Sequence, residues 1–212
     1  MSAQSIQAKL DKAHKKIATK LGYPYNVYRP LNDIDPLNDR NHLQQVKATF
    51  TLSDAYTTTI SWEVPIWTVY TDILQLEQGD ILDNGQHTYI IISRLPHLPV
   101  LAVQADDRID IHSVGYSNDG SGFSPAQDTY VAKGLPCYIS TDSYGVGVGN
   151  PGSGINSTNF RSLTVITYLR DQQNLMTRSI SARDSFIGDI TKYDFSSIGS
   201  AVKFTAKESQ GT

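Results

Sequence analysis

Five aspartates supply the densest set of residues that could do chemistry: Asp80 and Asp83, then Asp106, Asp107 and Asp110. Paired carboxylates can share acid and base work or hold a cation. Asp is also a preferred turn residue, and Arg108 sits inside the second group as a neutralising neighbour. No metal site is expected from them. The five histidines, His14, His42, His87, His97 and His112, are scattered and form no HExxH or His-x-His pair. Gly147-Val-Gly149-Asn-Pro-Gly152 matches the dinucleotide-binding glycine pattern. Pro151 and the Ser/Gly/Asn run after it do not open the helix that would meet a pyrophosphate, so no cofactor is expected. The chain has no Walker-type phosphate loop and no GxSxG nucleophile elbow. Cys137 is the only cysteine, which excludes an internal disulfide and a cysteine-based zinc scaffold; a buried, inert thiol is expected. Asn156-Ser-Thr158 is a glycosylation sequon that matters only in a secreted protein. No catalytic residue is assigned.

The elements that would position these residues are mostly strands. Ile6, Leu10, Ala13, Ile17 and Leu21 recur at helical spacing, so residues 1–22 are read as an amphipathic N-terminal helix, with Gly22 at the C′ position and Pro24 preventing continuation. Residues 23–44 read as an extended, proline- and turn-rich connector. Residues 45–206 read as a β-rich body with two possible sub-regions, 45–114 and 115–206, and 207–212 as a tail. The sharpest local signal is a hairpin. Gly79-Asp-Ile-Leu82 and His87–Arg94 flank an Asn84-Gly85 pair suited to a tight turn. Residues 115–128 and 142–159 are Gly/Ser-rich loops with little apolar surface to bury. The expected fold is mainly β: a small antiparallel barrel or sandwich with one terminal helix and long loops. No internal repeat is visible.

Charged residues are 18% of the 212, and the formal net charge is −3. That balance argues against a protein that grips nucleic acid with its whole surface. The helix alone carries +4, from Lys9, Lys12, Lys15, Lys16 and Lys20 against Asp11, which leaves −7 for the rest. No apolar run reaches the ~20 residues of a membrane span, and no signal-peptide core is evident, so an intracellular, non-membrane setting is expected.

Three stretches carry a resemblance: Leu10-Asp-Lys-Ala with Lys20-Leu-Gly-Tyr-Pro-Tyr-Asn-Val-Tyr-Arg-Pro30; Gly79-Asp-Ile-Leu, Gly85 and Tyr89-Ile-Ile-Ile92; and Leu95-Pro with Leu98-Pro-Val-Leu-Ala-Val103. Over residues 8–112 the chain resembles neck proteins of tailed bacteriophages, and its hairpin is similar to one in head-closure proteins. Residues 113–212 have no counterpart in that resemblance. It implies a virion protein without a catalytic site that forms a cyclic homo-oligomer joining the DNA-filled head to the tail. The implied partners are further copies of itself, the portal or adaptor on one side, a tail terminator or tube on the other, and passing DNA that is not specifically bound. Under this reading the interface falls on the helix, through Ile6, Leu10, Ile17, Leu21, Lys12 and Lys16, and on the loop residues Tyr144, Val146 and Val148. Other virion parts fit the same composition. A ligand-binding β-sandwich that stacks a sugar on Trp62 and Trp67 is a reading from another class. An enzyme would have only the aspartate group as its centre.

Overall fold

The computed structural model describes residues 3–52, 64–72, 75–95, 98–113, 116–118, 123–125, 129–142, 162–170, 178–182, 186–194 and 201–208. Helix α1 spans Ala3–Leu21. It is followed by β1 (Tyr23–Tyr28), β2 (His42–Leu52), β3 (Ile66–Thr71), β4 (Ile81–Asp83), β5 (Thr88–Ser93) and β6 (Val100–Ala105). These six strands close into an antiparallel barrel in the order β1-β2-β3-β6-β5-β4, with β4 pairing back onto β1. The remaining strands are β7 (Asp107–Ser113), β8 (Tyr116–Asn118), β9 (Phe123–Pro125), β10 (Thr129–Asp142), β11 (Ser162–Tyr168), β12 (Arg178–Ala182), β13 (Phe186–Asp194) and β14 (Ala201–Glu208). All but β8 and β9, which pair with each other, form a second closed barrel, β10-β11-β14-β13-β12-β7.

The two barrels have one topology. In each, the first three strands form a meander, the last three form a second meander, and the third and sixth strands and the first and fourth are neighbours. The first barrel's β1 to β6 correspond in turn to β7, β10, β11, β12, β13 and β14. The chain thus contains a repeat of connectivity that its residue pattern does not announce. The β8–β9 hairpin lies in the connection between the first two strands of barrel 2, where barrel 1 has residues 29–41.

Several boundaries differ from the sequence reading. Residues 23–28 are not connector but β1, paired with β2 and β4. Pro24 is tolerated because it stands at the start of the strand, outside the β4 pairing, which begins at Asn26. β2 begins at His42, the barrel boundary falls at Asp106 rather than near 114, and β14 runs past 206 to Glu208. The hairpin stands as expected, with β4 and β5 joined through Gly85 at φ 81°.

Alternation places each side chain. In barrel 1, Tyr25, Val27, Val46, Ala48, Val69, Leu82, Tyr89, Ile91 and Ala102 point into the core, joined by half-buried Phe50 and Trp67. Barrel 2 is filled by aliphatic residues with Cys137 and Phe204 among them. Between the barrels lies an apolar seam of Val64, Ile66, Ile92 and Val103 from one side and Ile166 from the other, flanked by Leu101 and Tyr138. The unbroken run Tyr89-Ile-Ile-Ile92 is the sequence mark of that seam. A strand buried on both faces needs no polar alternation, and all four residues are buried.

Helix α1 lies over β2 and β3, the strands equivalent to the pair, β10 and β11, that receives barrel 1. Its seated face is rotated from the expected stripe. Ala18 is fully buried, Leu10, His14 and Ile17 are half-buried, and Ala13 and Leu21 face solvent. The small Ala18 lets the helix approach closely, and His14 meets the Tyr70 ring edge-on at 5.0 Å. Gly22 is needed for proximity: a Cβ there would stand 2.4 Å from the Ala18 carbonyl oxygen and 3.0 Å from the Ala48 nitrogen.

Candidate functional site

Each aspartate of the group singled out in the sequence is committed to a local hydrogen bond. Asp80, fully buried, accepts from Arg29 Nε and Nη2 at 2.8 Å each and from the Glu77 amide at 2.7 Å. Arg29 also donates to Glu77 Oε1 at 2.8 Å and to the Gln75 carbonyl at 2.9 Å. Its hydrogen bonds to Asp80, chiefly, push its proton affinity above the ordinary arginine value. Asp83 accepts from the Thr88 hydroxyl at 2.6 Å and the Gly85 amide at 3.1 Å, closing the hairpin turn. Asp106 accepts from the Ile139 amide at 2.8 Å, and Asp107 from the Arg108 amide at 2.8 Å. Asp110 accepts from the Gly134 amide at 2.6 Å, where β10 bulges and Gly134 takes φ 61°. These are the bonds of turns, bulges and a buried ion pair. Among the described residues no three His, Cys, Asp or Glu side chains are placed to hold a metal.

One contact of possible chemical use was not legible in the sequence. On the outer face of barrel 2, His112 Nε2 lies 3.2 Å from Ser181 Oγ, across 69 residues of chain. A nucleophile–base pair needs a third group to fix the imidazole. Among the described residues the buried His112 Nδ1 has no hydrogen-bond partner, and the ring packs against Tyr130 at 4.6 Å. The contact therefore has the first two members of a triad arrangement, and no described residue supplies the orienting one.

Trp67 does not form an exposed stacking platform. It enters the aromatic layer of barrel 1, where Phe50 stacks on Tyr89 at 3.6 Å and Tyr25, Phe50 and Trp67 meet their neighbours edge-on. The Trp67 indole N–H is buried and has no partner among the described residues. Burial, with Tyr89 and Asp83 nearby, pushes the Tyr25 phenol up to about 12. Trp62, His97, the glycine pattern at 147–152, the sequon at Asn156 and the loop residues Tyr144, Val146 and Val148 lie outside the described residues, as does the side chain of Ile6.

The basic helix face is laid open. Lys9, Lys12, Lys15, Lys16 and Lys20 are all exposed, with Leu21 beside them. Leu10 and Ile17, by contrast, are turned towards the chain's own barrel. No described helix is long and apolar enough to cross a membrane.

The barrels are held to each other by residues 29–41, a strap with two anchors. Arg29 fixes it to barrel 1 through Asp80. On barrel 2, the Lys133 amide donates to the Asp33 carbonyl at 3.2 Å, the Asp35 amide to the Lys133 carbonyl at 3.1 Å, and the Arg170 amide to the buried Asp33 carboxylate at 2.9 Å. Under the strap, Gly79 (φ 84°) faces the Tyr168 ring so closely that a Cβ would stand 2.2 Å from it. The cavity there has about 10 Å³ of room, the size of one water molecule. Sequence reasoning missed these anchors because Asp33 and Arg170 are 137 residues apart. Comparisons with protein-family models, with curated proteins and with solved structures give no match.

Proposed function

We propose that this chain is a structural subunit of a homo-oligomeric assembly, of the kind that forms the neck between head and tail in tailed bacteriophages. One observation carries the reading. Two barrels of the same topology are fused into one block by an apolar seam and a doubly anchored strap, an arrangement suited to bearing contacts. The stretch that carries the resemblance, residues 8–112, coincides with α1, barrel 1 and most of β7. In this role barrel 1 with its helix makes the contacts to neighbouring copies and adjoining rings. The acidic remainder of the chain, at −7 outside the helix, lets DNA pass without adhering.

The test is electron microscopy of the purified protein over a concentration series, beside its mass in solution. Closed rings with a channel wide enough to pass duplex DNA are the expected outcome. A chain that stays monomeric at every concentration and binds a sugar overturns the reading in favour of a ligand-binding module.

A further inference from the structure

The strap is one of a matched pair of connections. Tyr28 pairs with His42, so residues 29–41 leave barrel 1 and re-enter it at the end of the β1–β2 ladder. Ser113 pairs with Thr129, so residues 114–128 leave barrel 2 at the equivalent corner. The first connection lands on the barrel that follows it. Ile34 makes a parallel bridge to Lys133, whose amide donates to the Asp33 carbonyl at 3.2 Å and whose carbonyl accepts from the Asp35 amide at 3.1 Å. Lys133 is free to take these bonds for two local reasons. The register of β10 against β7 passes from Ala132 to Leu135, and a bulge leaves Lys133 out of that ladder. On the other side β11 pairs with β10 only from Tyr138 onward.

Barrel 1 has the same landing place. Val27 pairs with Gln44 and Tyr28 with His42, which leaves Leu43 out of the β1 ladder. β3 pairs with β2 only from Ala48 to Leu52. Leu43 is 49% exposed, and among the described residues no turn or loop bonds to its main chain. Leu43 on the second strand of barrel 1 is thus the counterpart of Lys133 on the second strand of barrel 2, with no described segment upon it. The second connection shows the converse. Its β8–β9 hairpin pairs with no other described strand, and no other described element packs broadly against it. A two-stranded hairpin by itself is marginally stable in water and has a free border on each side. Among the described residues no barrel stands beyond barrel 2 to receive it.

We infer that the β8–β9 hairpin of one copy docks at Leu43 on barrel 1 of a second copy, as the strap docks at Lys133 within the chain. The inference rests on the assembly reading and names its contact. A second copy is the occupant because this chain carries both halves: a clasp without a landing place and a landing place without a clasp. Main-chain amides and carbonyls make the contact, as they do at Lys133. It is heterologous, so each added copy leaves one free hairpin and one free Leu43, and the series ends only as a closed ring.

An excision and a cross-link test it. Replacing residues 114–128 by Asn-Gly joins Ser113 to Thr129 through a two-residue turn and leaves barrel 2 closed. This variant should keep the wild-type melting temperature, and sedimentation should show its association weakened by at least ~10-fold. The cross-link decides the matter if the excised chain misfolds. Leu43→Cys combined with Ser117→Cys should give covalent multimers on oxidation, while either cysteine alone gives only single chains; the native Cys137 is buried. If the wild type assembles and the folded excision variant assembles equally well, this contact is wrong while the assembly reading stands. Dimers from Ser117→Cys alone mean that hairpins pair with each other, and a link closed within one chain means that the hairpin folds back on its own barrel; either overturns the inference. A wild type that stays monomeric at every concentration overturns both.

Discussion

Barrel 1 and barrel 2 solve one connectivity with different side chains. Barrel 1 fills one end of its interior with a layer of Tyr25, Phe50, Trp67 and Tyr89, with the small Ala48 and Ala102 in the same cluster. Barrel 2 is packed by branched aliphatics around Phe204, and its second strand, β10, is long enough to need two irregularities in register. Their outer faces differ as well. Barrel 1 wears a helix on its second and third strands and a partner barrel on its fifth and sixth. In barrel 2, the equivalents of the fifth and sixth strands carry Asp189, Lys203 and Thr205 on the outside, with one exposed apolar residue, Ile187, among the described side chains. The comparison teaches that the fold is specified by alternation and closure, and that the choice of apolar or polar outer residues decides which faces become contacts.

The deepest cut into this comparison is Phe204→Ala. Phe204 is 1% exposed at the centre of barrel 2. The cavity should cost ~3–5 kcal/mol. If seam and strap make the barrels one cooperative unit, calorimetry shows a single transition at lower temperature. Two separate transitions would show that the barrels fold independently. Gly79→Ala probes the junction itself. The new Cβ meets the Tyr168 ring at a backbone angle that disfavours side chains, and a loss of ~2–3 kcal/mol is expected. Adding Tyr168→Ala relieves the clash but not the backbone strain, so partial recovery in the double mutant is the expected result; no recovery would place the cost in the backbone alone. The smallest effect is alkaline. The Tyr25 phenol is raised from 10.0 to about 12 by burial first. The folded state holds this proton more tightly than the unfolded one. Its contribution is therefore complete below pH 10 and is lost as pH rises through about 12. Burial also raises the phenols of Tyr89 in barrel 1 and Tyr168 in barrel 2, so both barrels carry an alkali-sensitive group and Tyr25 adds the barrel 1 share. Tyr25→Phe should move the alkaline midpoint upward, followed by tyrosinate absorbance and tryptophan fluorescence.

Local chemistry was legible in the sequence, and long-range chemistry was not. The helix, the Asn84-Gly85 hairpin and the doubly buried Tyr89–Ile92 strand each follow from residues close together in the chain. β1 was obscured because Pro24 and the dense turn residues after it look like connector, while its pairing partners lie more than a dozen residues away. The aspartates drew attention as a cluster in sequence; in space each serves a different turn, bulge or arginine. The duplicated connectivity left no trace because the two interiors share a pattern of burial but few residue types. On the helix, periodicity gave the element but missed the seated face, since Ala18 and His14 are chosen by the distance to β2 and β3 rather than by hydrophobicity.

Closure has one more consequence. A sheet with a free border offers its unpaired amides and carbonyls to any passing strand, and at high concentration that invites fibrils. Each barrel here returns its first strand to its fourth and its third to its sixth, so neither leaves a border. Among the described strands only the β8–β9 hairpin keeps free borders, so the barrels themselves lend no strand to a neighbouring molecule. Any contact between the barrels of two molecules must therefore rest on side chains, and the barrels add no edge from which a fibril could grow.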